Sequence, residues 1–190
     1  MNATMNATMK YRIIFLDRDG VINKKAPEGD YIKSWKEFCF LDNVPEAIHV
    51  FNDLGFKVIV ITNQRGIARG LMTISDVNCI HERINKTLLA YKAHIDAFFM
   101  CPHEKGTCHC RKPDIGLFLQ AEQLFPVDKV HSFMIGDSIT DIEAGHNFGI
   151  KTIAVGQSLK NADFCFSDLY QTAQYIMNLR SIYGNHENTF

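Results

Sequence analysis

Tyr11-Arg12-Ile13-Ile14-Phe15-Leu16 runs straight into Asp17-Arg18-Asp19-Gly20, and this junction decides the fold. The apolar run reads as a buried strand of a parallel sheet. Two carboxylates are thereby delivered to the carboxyl end of a strand, where open α/β sheets bind ligands. Aspartates two apart with a glycine behind them suit a hard cation and leave one carboxylate for chemistry. Gly20 lets the chain turn away. Taken alone, the same four residues also fit a plain turn or the start of a calcium loop.

Three further apolar runs end in polar residues of the same kind. Thr62-Asn63 closes Lys57-Val58-Ile59-Val60-Ile61, Lys112 follows Ala97-Phe98-Phe99-Met100, and Gly136-Asp137 closes the run 130–135. Helical patterns lie between them. Residues 44–54 set Val44, Ala47, Ile48, Phe51 and Leu54 on one face, with Pro45 in the first turn and Gly55 at the stop. Residues 75–93 follow a Thr73 or Ser75 cap and turn Val77, Ile80, Ile84, Leu88 and Tyr91 inward. Helices are also expected over 114–124, 140–147 (capped by Gly149) and 169–179, with strands over 151–155 and 162–166.

This alternation predicts a central parallel sheet with right-handed crossovers and helices on both faces, a Rossmann-like α/β three-layer sandwich. A single domain is expected over 11–180, with a short polar flap at 22–40, no large cap domain, a disordered leader over 1–10 and a loose tail over 181–190.

At 190 residues, 46% hydrophobic and 22% charged, the chain suits one compact unit. A formal net charge of −1 gives no electrostatic case for nucleic acid or an anionic membrane. No stretch has signal-peptide or membrane-span character. A cytoplasmic monomer is the expectation.

Half of the six cysteines fall within ten residues. Cys101-x-His103-x4-Cys108-x-Cys110 offers three thiolates and an imidazole on the loop 101–110, the ligand set of a closed structural zinc site, with His109 as a competing ligand. Cys39, Cys79 and Cys165 stand in apolar surroundings and read as small buried thiols. His49, His81, His94, His131 and His146 read as surface or satisfied structural groups. Asp141, four residues after Asp137, reads first as an acid in a helix's first turn and second as support for the same site.

In this order and setting, the four strand ends resemble the four motifs of the haloacid dehalogenase superfamily of aspartate-nucleophile phosphohydrolases, over roughly residues 11–156. Asp17-Arg18-Asp19-Gly20-Val21-Ile22-Asn23, Thr62-Asn63-Gln64-Arg65-Gly66-Ile67-Ala68-Arg69-Gly70, Cys101-Pro102-His103 and Cys108-His109-Cys110-Arg111-Lys112-Pro113 look most like its heptose-bisphosphate phosphatases. The resemblance implies that Asp17 is the nucleophile, and that Asp19 is the acid and then the base, with a pKa raised toward neutrality. It implies Mg²⁺ held by Asp17, Asp137 and the main-chain carbonyl of Asp19. Thr62, Asn63 and Lys112 would then face the phosphoryl oxygens, while Arg111 and Arg69 would meet the substrate or its second phosphate. His103, rather than His109, would complete a structural zinc site supporting the loop that presents Arg111 and Lys112. The implied partner is a small phosphorylated sugar. Because only four residues separate His103 from Cys108, the related histidinol-phosphate phosphatases are the alternative.

Overall fold

The computed structural model describes residues 9–183, so most of the expected leader (1–8) and of the tail (184–190) lies outside the described residues. The strands are β1 (Ile13–Leu16), β2 (Lys57–Asn63), β3 (Ala97–Cys101), β4 (Phe133–Gly136), β5 (Lys151–Val155) and β6 (Phe164–Phe166). The helices are α1 (Val44–Asp53), α2 (Ile74–Leu88), α3 (Gly116–Leu124), α4 (Ile139–Phe148) and α5 (Leu169–Tyr183). All six strands pair in parallel in the order β3-β2-β1-β4-β5-β6. The strand order reverses between β1 and β4, and at such a point the loops leaving the carboxyl ends part to form a crevice.

Alternation along the strands divides the core in two. Ile14 and Leu16 of β1 pack with Val58 and Val60 of β2, with Ala47, Ile48 and Phe51 of α1, with Ile80 and Ile84 of α2, and with Ala173 of α5. Ile13 and Phe15 face the other way, against Leu117 and Phe118 of α3 and Ala144 and Phe148 of α4. The rings of Phe15, Phe118 and Phe148 meet edge-on or stacked, at centroid separations of 4.7 to 6.1 Å. This is the expected three-layer α/β sandwich.

Several boundaries and faces differ from the expectation. The second helix ends at Leu88 and tightens into a 3₁₀ turn over Leu89–Tyr91, which leaves Tyr91 44% exposed instead of inward. Its cap is Thr73, which exchanges hydrogen bonds with Asp76 in a capping box. Cys39, Cys79 and Cys165 are exposed, not buried. For Cys165 the reason is the pleat: Phe164 and Phe166 turn toward the core, so the residue between them turns away.

The segment 22–40 is closed at its base, where Lys24 N donates to Cys39 O and Leu41 N to Ile22 O. Its Ile32 and Phe38 are buried in the first core, with Trp35 stacked on Phe38 at 4.9 Å. Among the described residues, no helix is long and apolar enough to cross a membrane.

Candidate active site

Asp17 and Asp137 leave the carboxyl ends of β1 and β4, the two strands flanking the point of reversal. Asp141 sits in the first turn of α4, where its carboxylate closes a capping box with Ser138. One oxygen from each of these three aspartates lies within 4.8 Å of the others. Two glycines permit this convergence. A Cβ on Gly20, at φ +97°, would fall 1.9 Å from Asp137 Oδ2, and one on Gly136 would fall 2.2 Å from Asp141 Cβ.

Lys112 is buried among these acids. Its Nζ lies 2.9 Å from Asp17 Oδ1, 2.6 Å from Asp141 Oδ1 and 2.8 Å from the carbonyl of Ile61. It donates to Asp17 and Ile61 and meets Asp141 as an ion pair. The same ammonium, expected from sequence at the phosphoryl oxygens, is held here between Asp17 and Asp141. Its backbone is held by Asn63, whose Oδ1 accepts from Lys112 N at 3.1 Å and whose Nδ2 donates to Lys112 O at 3.2 Å. The Asn63 amide thereby positions Lys112.

Burial raises Asp17 to about 7, with Lys112 opposing and Asp141 and Asp19 reinforcing the shift. Burial likewise raises Asp137, against Lys25, whose Nζ is 2.5 Å from Asp137 Oδ2. For Lys112 burial acts downward, but Asp141 and Asp17 outweigh it and its pKa is raised. Asp137 Oδ1 is buried and takes no hydrogen bond among the described residues. Three converging carboxylates, one with a buried unpaired oxygen, fit a hard divalent cation.

Asp19 stands apart from this cluster. Its Oδ1 accepts from Arg18 Nε at 3.3 Å, Arg18 Nη2 at 2.9 Å and Asn23 Nδ2 at 2.9 Å. Its Oδ2 accepts from Arg18 Nη2 and Gln64 Nε2, both at 2.9 Å. Burial acts to raise its pKa, but the charge of Arg18 and these donors prevail and hold it below the usual carboxylate value. That reverses the expected upward shift. Thr62 Oγ1 is buried and accepts from Gln64 Nε2 at 2.9 Å.

On the rim, Arg65 Nε lies 3.0 Å from Glu104 Oε1 and Arg69 Nε lies 3.4 Å from Glu104 Oε2. The charge of Arg111 also acts on Glu104, and Arg111 Nη1 is buried without a hydrogen bond among the described residues. Arg69 and Arg111 were candidates from sequence; Arg65 and Glu104 were not. Nor were Gln64 and Lys25, while for Asp141 support of this site was the less favoured of two readings. An acid four residues after Asp137 was the one sequence signal for Asp141.

Cys101, His103, Cys108 and Cys110 form a second cluster, which excludes His109. The Sγ atoms are 3.5 Å (Cys101 to Cys108), 3.1 Å (Cys101 to Cys110) and 3.4 Å (Cys108 to Cys110) apart. His103 Nδ1 lies 3.6 Å from Cys101 Sγ and 3.2 Å from Cys110 Sγ. A zinc ion with sulfur ligands at about 2.3 Å would set its sulfurs about 3.8 Å apart, so the ligand atoms already sit near the corners of such a tetrahedron. His81 differs from the expected satisfied histidine. It is buried, stacked on Phe98 at 4.3 Å, and its Nε2 has no partner among the described residues. Burial, helped by the charge of Arg18, lowers it to about 3.

A parallel sheet with clustered aspartates and a lysine at its reversal point is the arrangement that the resemblance to haloacid dehalogenase-type phosphohydrolases implies. A HAD-hydrolase-like family model matches residues 109–180. A D-glycero-alpha-D-manno-heptose-1,7-bisphosphate 7-phosphatase of Campylobacter jejuni is 38% identical over 157 residues, covering 82% of this chain and 89% of that protein. A D-glycero-beta-D-manno-heptose-1,7-bisphosphate 7-phosphatase of Yersinia pestis is 34% identical over 156 residues, covering 77% and 81%. The D,D-heptose 1,7-bisphosphate phosphatase of B. bronchiseptica, solved with magnesium and phosphate, superposes with a TM-score of 0.82 at 30% identity, covering 88% of this chain and 99% of that one. The chain belongs to the D-glycero-D-manno-heptose-1,7-bisphosphate 7-phosphatase family of HAD-like hydrolases.

Proposed function

We propose that this protein is a Mg²⁺-dependent phosphatase that removes the 7-phosphate of D-glycero-D-manno-heptose 1,7-bisphosphate through an aspartyl-phosphate on Asp17. The observation that carries the reading is the Lys112 ammonium shared by Asp17 and Asp141 at the reversal point of the sheet. It orients one oxygen of Asp17 and leaves Oδ2 without a hydrogen bond among the described residues, available for in-line attack.

In the first half-reaction Asp17 Oδ2 bonds to phosphorus, the bond to the sugar oxygen breaks, and Asp19 gives that oxygen a proton. In the second, Asp19 takes a proton from water, the water oxygen bonds to phosphorus, and the bond to Asp17 breaks. Thr62 donates its hydroxyl proton to a phosphoryl oxygen, since its own oxygen already accepts from Gln64. Mg²⁺, held by Asp17, Asp137 and the main-chain carbonyl of Asp19 with Asp141 beside them, would supply neutralisation of the phosphoryl charge.

Arg65, Arg69 and Arg111 bring three positive charges to the rim against the one negative charge of Glu104. That surplus supports a second anionic group on the substrate, the 1-phosphate, as their partner. Zinc on Cys101, His103, Cys108 and Cys110 has no open position and holds the loop that presents Arg111 and Lys112.

The test is phosphate release with Mg²⁺ from both anomers of the heptose bisphosphate and from histidinol phosphate. A preference of about a hundredfold for one bisphosphate anomer is expected. Preference for histidinol phosphate would overturn the substrate assignment.

A further inference from the structure

Gly66 lies in the turn that carries Arg65 and Arg69, yet it does not have the positive φ that usually calls for glycine. What it lacks is room. An added Cβ would fall 2.9 Å from Tyr31 Cγ, 3.1 Å from Tyr31 Cδ2 and 2.9 Å from Met72 Cε. Met72 offers the end of a flexible chain, which can swing aside, whereas Tyr31 offers the ring itself. The backbone beneath that ring is held, since Ile32 is buried in the first core and Tyr31 N donates to Asp30 Oδ1 at 2.8 Å.

The charge sits elsewhere on the same turn. Arg69 N donates to Arg65 O at 3.2 Å and Leu71 N to Gly66 O at 2.9 Å, and residues four apart on such a turn share a side. Both guanidinium groups reach Glu104. Like charges at this spacing repel, and Glu104, 44% exposed, holds them only weakly. The seat of the turn on Tyr31 is the contact that does not depend on Glu104.

We propose that Tyr31 is a positioning residue for the substrate's second phosphate: its ring seats Gly66 and so fixes the turn that presents Arg65 and Arg69 while they pass from Glu104 to that phosphate. Gly66 is the residue that lets the ring approach. The proposal rests on the reading of the rim arginines given above.

The test compares D-glycero-D-manno-heptose 1,7-bisphosphate with the 7-phosphate, which keeps the scissile group but has a hydroxyl at C1. Tyr31→Ala should raise KM for the bisphosphate by about tenfold or more and KM for the monophosphate by less than about twofold. Tyr31→Phe, which keeps the ring, should restore the bisphosphate value. Gly66→Ala should act as Tyr31→Ala does, because its methyl displaces the ring. In the double variant the two increases should not multiply: with the ring gone, KM should match that of Tyr31→Ala to within about twofold. If Tyr31→Ala melts below the assay temperature, Tyr31→Leu takes its place with the same expectations. An equal rise for both substrates, no rise for either, or increases that multiply would overturn the proposal. Arg65→Gln and Arg69→Gln tell the two levels apart. If they leave KM for the bisphosphate unchanged, the reading of the rim falls and this inference with it. If they raise it and the Tyr31 variant does not, only this inference falls.

Discussion

Two clusters of anionic ligand atoms stand at the carboxyl end of the sheet, one of carboxylates and one of thiols, and they differ in what compensates them. Asp17 and Asp141 share the ammonium of Lys112, and Asp137 is paired with Lys25. The carboxylate cluster thus carries cations of its own and can form as the chain folds. The thiols of Cys101, Cys108 and Cys110 are perturbed by burial, by main-chain N–H groups and by one another. A metal is what would bind their thiolate forms together. In the first cluster a metal would serve chemistry on a finished scaffold; in the second it would complete the scaffold.

The strongest way to break that contrast is at Asp17. Asp17→Asn should lower turnover by about ten-thousandfold or more, the scale seen when a covalent nucleophile is removed. Its melting temperature should hold, because a buried carboxylate whose pKa is raised contributes no stability at neutral pH. Retained activity above a hundredth of the original would remove Asp17 from the nucleophile's place. Next in size is Lys112→Met. It strands Asp17 and Asp141 without their shared cation, at a cost of about 3–5 kcal/mol if the acids stay charged. Denaturant unfolding measures this, and Mg²⁺ should recover part of it. A loss below about 1 kcal/mol would mean that the cluster is not compensated from within.

The contrast was only half legible in sequence. The strand leading to Asp17 could be read because both faces of a central parallel strand are buried, which makes it continuously apolar. The ligand set on 101–110 could be read because all four residues lie on one loop. The links between strand ends could not. Asn63 and Lys112 are 49 residues apart, Gln64 and Asp19 45, and Arg69 and Glu104 35. Periodicity reports only what a residue does within its own element. Asp141 shows the limit best. Its capping role was visible from its place in α4, but the ion pair with Lys112 depends on where the loop between β3 and α3 meets the start of α4.

Third in size is the loop metal. Cys108→Ser, or removal of zinc by a strong chelator, should cost about 3 kcal/mol and lower the melting temperature by about 6–12 °C in a chain of this length. The zinc content of the purified protein should fall in step. Removing Mg²⁺ alone should leave the fold in place and stop turnover. Equal destabilisation by both treatments would erase the distinction between the clusters.

The smallest effect sharpens the contrast through pH. Asp17, raised by burial to about 7, and Asp137, also raised by burial, bind protons more tightly in the folded chain than an ordinary aspartate does. In the metal-free protein their contribution to stability is therefore complete below about pH 4 and is lost as the pH climbs toward 7. Mg²⁺ requires the same oxygens deprotonated. Below pH 7 its apparent affinity should rise with pH by up to about tenfold per unit for each proton displaced, about 1.4 kcal/mol, and it should level off above 7. In melting curves from pH 5 to 8, the gain from saturating Mg²⁺ should grow by about 3–6 °C per unit and then flatten. A gain of the same size at pH 5.5 and pH 8 would mean that Asp17 meets the metal already ionised. Lys112 would then govern its charge more strongly than burial does.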